Sequence, residues 1–165
     1  MTLIENTSAN AFLAQYKRLL CAVAAKPLKI VNDYSEARKA LYKDGFNKSF
    51  AFDSSYEESF VNAVKNATYG IFVYAKKYKS GYALKASDDT WYCVKALTTP
   101  LEEMIPEWCV IDTAVLPYCG LIVCDGLIVD RQVSIGPNMI ASMTQQLKTE
   151  RKKWQQRRKG DGSIY

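Results

Sequence analysis

The first third of the chain repeats its apolar residues at helical spacing. Phe12, Leu13, Tyr16, Leu19, Leu20 and Val23 fall on one stripe, with Asn10 or Ser8 placed to cap it and Pro27 to end it. A second amphipathic segment follows Ser35 in "SEARKALYKDG", with Ala40 and Leu41 inward and Gly45 as its stop. A third begins in "SYEESFVNAVKNA", where Ser55 and Glu58 have capping-box spacing and Phe60, Val61 and Val64 supply the buried stripe.

From Thr68 the period shortens to two or gives way to solid apolar runs. "TYGIFVYAKKY" predicts a strand, "KSG" a turn and "YALKA" the returning strand. "TWYCVKAL", a helical turn in "PLEEMI" and the strand "WCVIDTAVL" follow. "GLIVC" and "LIVDRQVSI" then flank Asp125-Gly126, a dipeptide that suits a two-residue hairpin turn with positive φ at both positions. Gly136-Pro137 opens a last helix, on which Ile140, Met143, Leu147 and Trp154 share a stripe with Glu150 or Arg151 in the gap. Helices, then short strands, then a helix predict an α+β fold: N-terminal helices, a mostly antiparallel sheet of five or six strands, and a long basic C-terminal helix.

Charge divides the chain. Residues 148–165 hold seven Lys or Arg against Glu150 and Asp161, while residues 1–147 hold 15 basic and 15 acidic side chains. The expected organisation is therefore a single α+β domain over residues 1–147 and a basic helical extension and tail over 148–165. The first half of the last helix would dock on the body and the second half emerge into water, with Trp154 as its last anchor.

The 165 residues suffice to bury a core, and an apolar fraction of 48% with 24% charged residues is a globular composition. The first six residues lack a signal peptide's basic start and long apolar core, and no apolar run is long enough to cross a membrane. Cys21, Cys93, Cys109, Cys119 and Cys124 form an odd set, so they cannot all pair internally. They read as reduced thiols of a cytoplasmic protein with no membrane association.

"YCVKALTTPLEEMI" and "VLPYCGLIVCDGLIVDRQVSIGPNMI" together resemble a segment of uncharacterised bacterial proteins, some of them associated with a SEC-C-type motif. That segment reads Leu-Pro-Phe, an apolar strand, Tyr-Asp-Gly-Leu, then a strand and Gly. The likeness spans residues 92–140. Cys124 stands where the pattern has an aromatic, Tyr118 where it has Phe, and the motif's own metal cysteines are missing. The resemblance implies a strand-turn-strand-helix unit and no activity.

Histidine is absent, which removes imidazole base chemistry, Ser/His and Cys/His nucleophile systems and the usual zinc sites. An enzyme would have to work through Asp125, Asp130 or a cysteine. Cys119 and Cys124, read on one strand, would point to opposite faces and share no metal. Asp88-Asp89 and Glu102-Glu103 suit a turn and a first helical turn, and no Gly-rich phosphate loop is present. No cofactor and no metal are expected.

Two basic features remain. Lys148, Arg151, Lys152, Lys153, Arg157, Arg158 and Lys159 surround Trp154 on the last helix. Such an element can lie along phosphates, with Trp154 stacking on a base or packing under arginine stems. The same cations would also complement the helix dipole and keep a solvated end soluble, with Gly160 as its cap. Lys76, Lys77, Lys79 and Lys85 are interleaved with Tyr74, Tyr78 and Tyr82 on the first hairpin. That is the composition of a single-strand binding surface, or of an edge hairpin protected by lysines.

The reading is a small, non-enzymatic accessory protein of bacterial or phage type. It would bind nucleic acid or a nucleoprotein complex electrostatically through Lys148, Arg151, Lys152, Lys153, Trp154, Arg157, Arg158 and Lys159, joined by Lys76, Lys77, Tyr78 and Lys79. The competing reading is a protein-interaction module, of inhibitor or immunity type, for an acidic partner. It would use the apolar hairpin near Leu121 to Val129 or the sheet face.

Overall fold

The computed structural model describes residues 1–43 and 52–161, the last four by backbone alone. Helices α1 (Asn6–Ala24), α2 (Val31–Leu41) and α3 (Glu58–Lys65) precede strands β1 (Thr68–Tyr78), β2 (Gly81–Ala86), β3 (Trp91–Val94), β4 (Cys109–Tyr118), β5 (Leu121–Cys124) and β6 (Val129–Asp130). A 3-10 turn at Leu101–Glu103 bridges β3 and β4, and α4 (Pro137–Asp161) ends the described chain. This is the α+β architecture the hydropathy pattern predicts.

The sheet runs β3-β2-β1-β4-β5 with antiparallel neighbours, and its two edges meet. The Lys95 N–H donates to the Ile122 carbonyl at 2.8 Å, and the Cys124 N–H donates to the Lys95 carbonyl at 2.9 Å. This parallel contact beyond the end of β3 curls the sheet into a five-stranded barrel. The long β1 makes it possible: its first half pairs with β4 and its second half with β2.

Alternation along the strands sorts the side chains into three cores. Phe72, Tyr74, Tyr82, Leu84, Val94, Ile111, Val115 and Cys124 point inward and fill the barrel. Ala114, Leu116, Tyr118 and Val123 point outward on one side and meet Phe12, Tyr16, Leu19 and Phe60 of the N-terminal helices. Phe12 and Phe60 are wholly buried, each contributing about 1.5–3 kcal/mol of transfer free energy. On the other side Ala75, Ala83, Trp91 and Cys93 receive Met143, Leu147 and Trp154 of α4.

Local details depart from the expectations in instructive ways. Helix α1 is capped by Glu5, whose carboxylate accepts from the N–H groups of Thr7 and Ser8 at 3.1 and 3.2 Å, rather than by Ser8 or Asn10. Helix α2 starts four residues before Ser35; it buries Ala37, Arg38 and Leu41 and leaves Ala40 exposed. Gly45 lies outside the described residues. At α3 the Ser55–Glu58 capping box does not form, because Ser55 turns back to Asp53. Gly160 does not cap α4, which continues to Asp161.

The Asp125-Gly126 hairpin is the largest correction. β5 and β6 do not pair with each other; both lie along β4, β5 opposite Val115 to Tyr118 and β6 opposite Ile111 and Asp112. The tight turn is Cys119-Gly120, with positive φ of 52° and 74° at the two central positions. Cys119 is therefore exposed in a turn while Cys124 is buried in the barrel.

Candidate anion-binding surface

The β1–β2 hairpin carries a bulge between Tyr74 and Lys76. One extra residue reverses the alternation beyond it. Tyr74 still points into the barrel, but after the bulge Lys76 lies opposite the outward Ala83, and Lys77 lies opposite the inward Tyr82. Lys76 and Tyr78 consequently share the face that α4 covers, and Lys77 falls on the other side.

Lys77 is matched there. It ion-pairs with Glu102 at 2.5 Å, and the Tyr82 hydroxyl donates to the second oxygen of the same carboxylate. Burial pulls the Glu102 carboxyl up, but the hydrogen bonds from Lys77 and Tyr82 outweigh it and hold it down at about 2. Lys85 is likewise paired, with Asp89 at 3.1 Å.

Helix α4 brings its own cations to the hairpin. The Arg151 guanidinium carbon sits 3.9 Å from the centre of the Tyr78 ring. Cation and ring attract each other in this arrangement, and a guanidinium carries more N–H donors than one such contact occupies. Between the two elements runs a cleft of about 400 Å³, with Tyr78, Lys79 and Ser80 on one wall and Arg151, Trp154 and Gln155 on the other. Lys95, buried at the seam of the barrel, also lines it, and among the described residues no carboxylate does. Lys148, Lys152 and Arg157 are exposed further along the helix. Among the described residues Lys76, Lys79, Lys148, Arg151, Lys152 and Arg157 form no ion pair, whereas Lys153 pairs with Glu150 at 3.3 Å. Arg158 and Lys159 lie beyond the described side chains.

The aromatic residues do not behave as stacking platforms. Tyr74 and Tyr82 are wholly buried inside the barrel, the Tyr78 ring is covered by Arg151, and Trp154 is 5% exposed within the outer core. What the two basic segments share is a row of cations on a rigid support, which suits phosphate oxygens rather than base faces.

Sequence reasoning missed the most heavily bonded polar residue. Asp125, expected in a hairpin turn, is 1% exposed and bonds to three elements, α1, α2 and β4. Its carboxylate accepts from the Tyr16 hydroxyl at 2.7 Å, from Arg38 at 3.0 and 3.1 Å, from the Leu127 N–H at 3.0 Å and from the Thr113 hydroxyl at 3.3 Å. Burial works against the Arg38 charge, and the Asp125 carboxylate more than offsets it, so the guanidinium is held firmly protonated. Burial and the Asp125 charge push the Tyr16 phenol well up, and burial pushes the Cys124 thiol up to about 11. Asp125 and Cys124 are thus committed to packing rather than poised for chemistry. The one signal that pointed this way was Arg38 itself, a cation placed one residue after Ala37 on the buried stripe of α2.

Other acidic groups serve local ends. Asp88 accepts from the Thr90 N–H at 3.0 Å, and Asp112 pairs with Arg131 at 3.1 Å. Among the described residues no three His, Cys, Asp or Glu side chains are grouped to hold a metal ion, and no helix is long and apolar enough to cross a membrane. No family model, curated protein or solved structure matches this chain.

Proposed function

We propose that this protein binds nucleic acid, by itself or within a nucleoprotein complex, through phosphate contacts along α4 and the β1–β2 turn. The observation that supports this most is the convergence of the two basic segments: Arg151 lies over the Tyr78 ring beside Lys79, with a cleft between helix and hairpin that no carboxylate lines among the described residues. Lys79, Lys148, Arg151, Lys152 and Arg157 form no ion pair among the described residues, so their field is available to a polyanion. With Tyr74, Tyr82 and Trp154 buried and Tyr78 in contact with Arg151, binding is carried by backbone charge and is insensitive to sequence.

Lys79 and Arg151 line the cleft, and Lys148, Lys152 and Arg157 are exposed elsewhere on α4, Arg157 at a neighbouring cavity that Asp89 and Glu150 also line. About five phosphate contacts give a slope of log affinity against log salt near −3.5 for a single strand and −4.5 for a duplex. Fluorescence anisotropy of the intact protein with a labelled oligothymidine and a labelled duplex, across a salt series, measures both. Affinity that does not change with salt removes this reading.

A second reading is a docking module for an acidic protein. Ile71 and Val129 flank Asp112 on adjacent strands and are 41% and 37% exposed, in the gap that the N-terminal helices and α4 leave uncovered. A partner retained after nuclease treatment, and lost on Ile71→Asp, favours this alternative.

A further inference from the structure

A second cavity, of about 310 Å³, lies on the opposite side of the barrel from α4, between α1, the start of α2 and the link from β3 to β4. Leu13 and Leu20 of α1, Val31 of α2, and Leu97, Leu101 and Met104 of the link form its apolar walls. Its volume is at the small end of the range for ligand pockets. Val31 and Met104 remain 65% and 37% exposed, so apolar surface at this cavity is left in contact with water.

The polar groups define what can enter. Asp125 is the single carboxylate among the lining residues, and Arg38, Tyr16, Thr113 and the Leu127 N–H already occupy its oxygens. Lys17 and Lys29 also line the cavity; both are exposed, and neither forms an ion pair among the described residues. An apolar chamber with two unmatched ammonium groups and a neutralised floor is complementary to one class of small molecule. Its apolar part replaces water against leucine and methionine, and its negative end meets the lysines.

We propose that this cavity binds a small amphiphilic carboxylate, a short alkyl chain or single ring seated among Leu13, Leu20, Leu101 and Met104 with its carboxylate at Lys17 and Lys29. The site is separate from the α4 surface, and neither reading depends on the other. Octanoate, octanol and octylammonium serve as probes in calorimetric titration of the full chain below their micelle-forming concentrations. Octanoate should bind saturably at one site, octanol roughly tenfold more weakly for want of the charged contact, and octylammonium more weakly still. Lys17→Ala combined with Lys29→Ala should reduce octanoate to the affinity of octanol. Leu13→Trp should fill the chamber and remove both.

A filling variant can disturb packing, so the unmodified protein supplies a second readout. Intermolecular NOEs should connect the octanoate chain to the methyl groups of Leu13, Leu101 and Met104. No saturable binding of octanoate, equal binding of octylammonium, or NOEs to other methyl groups would each overturn the proposal.

Discussion

The guanidinium carbon of Arg151 lies 3.9 Å from the centre of the Tyr78 ring, which ties the middle of α4 to the end of the first hairpin. A contact of this kind contributes about 0.5–1 kcal/mol at an exposed site. Its larger consequence is to hold Arg151 at the cleft. Arg151→Ala should therefore remove one phosphate contact and make the salt slope shallower by about 0.7–0.9. Tyr78→Phe keeps the ring and should leave affinity unchanged. Anisotropy at several salt concentrations distinguishes the two, and a steep loss with Tyr78→Phe would contradict the stacking role.

Helix α4 couples that surface to the fold. Trp154 is 5% exposed and packs with Trp91, Ala83 and Cys93 on the outside of the barrel, beyond the point where the helix becomes strongly basic. Trp154→Ala should cost about 3–5 kcal/mol, the range for deleting a buried large aromatic. Truncation before Lys148 removes the same ring, so it should lower the urea midpoint as well as any binding. Charge substitutions at Lys148, Lys152 and Arg157, whose side chains are exposed, should change binding with the midpoint unmoved.

The strand pattern was legible because the apolar residues of β1 to β4 alternate along a strand or run together where both faces are buried, as in β2. Thr68 to Tyr78 was readable end to end for that reason. The bulge after Tyr74 was not: nothing in "YAKKY" distinguishes a strand that reverses its faces midway. Asp125-Gly126 misled because a local turn preference and a long-range ion pair ask for the same residues. The partner that decides the matter, Arg38, lies 87 positions away. At the true turn, Cys119 takes a left-handed φ usually given to Asn, Asp or Gly, so the composition carried no warning. The cationic surface was legible as two separate segments, and only the packing of Trp154 and Arg151 shows that they adjoin.

Asp125 and Arg38 are both inaccessible to solvent, so their ion pair is sensitive to removal of one member. Asp125→Ala strands a guanidinium in the core, which typically costs about 3–5 kcal/mol. Replacing both residues, Arg38→Met with Asp125→Ala, removes the buried charge altogether and should recover part of that loss. Urea unfolding of the two variants tests the pair. A double variant less stable than Asp125→Ala would show that the pair contributes more than mutual neutralisation.

Acid stability should report on the Lys77–Glu102 contact. The Glu102 carboxyl titrates at about 2 in the folded protein, against an ordinary value of 4.5, despite the opposing effect of burial. A carboxyl with a depressed folded value binds its proton more readily in the unfolded chain, so stability drops as the pH is lowered through the range where the unfolded chain takes up the proton first. Its contribution is complete above pH 4.5, declines as the pH drops, and is gone below about 2. The Glu102→Gln variant cannot titrate there. Its unfolding midpoint should fall less steeply than that of the unmodified protein between pH 4.5 and 2, while sharing its remaining acid dependence. Both groups are well exposed, and salt should compress the difference between the two curves. Parallel curves at low salt would mean that Lys77 and Tyr82 do not hold the carboxylate in solution as they do in this structure.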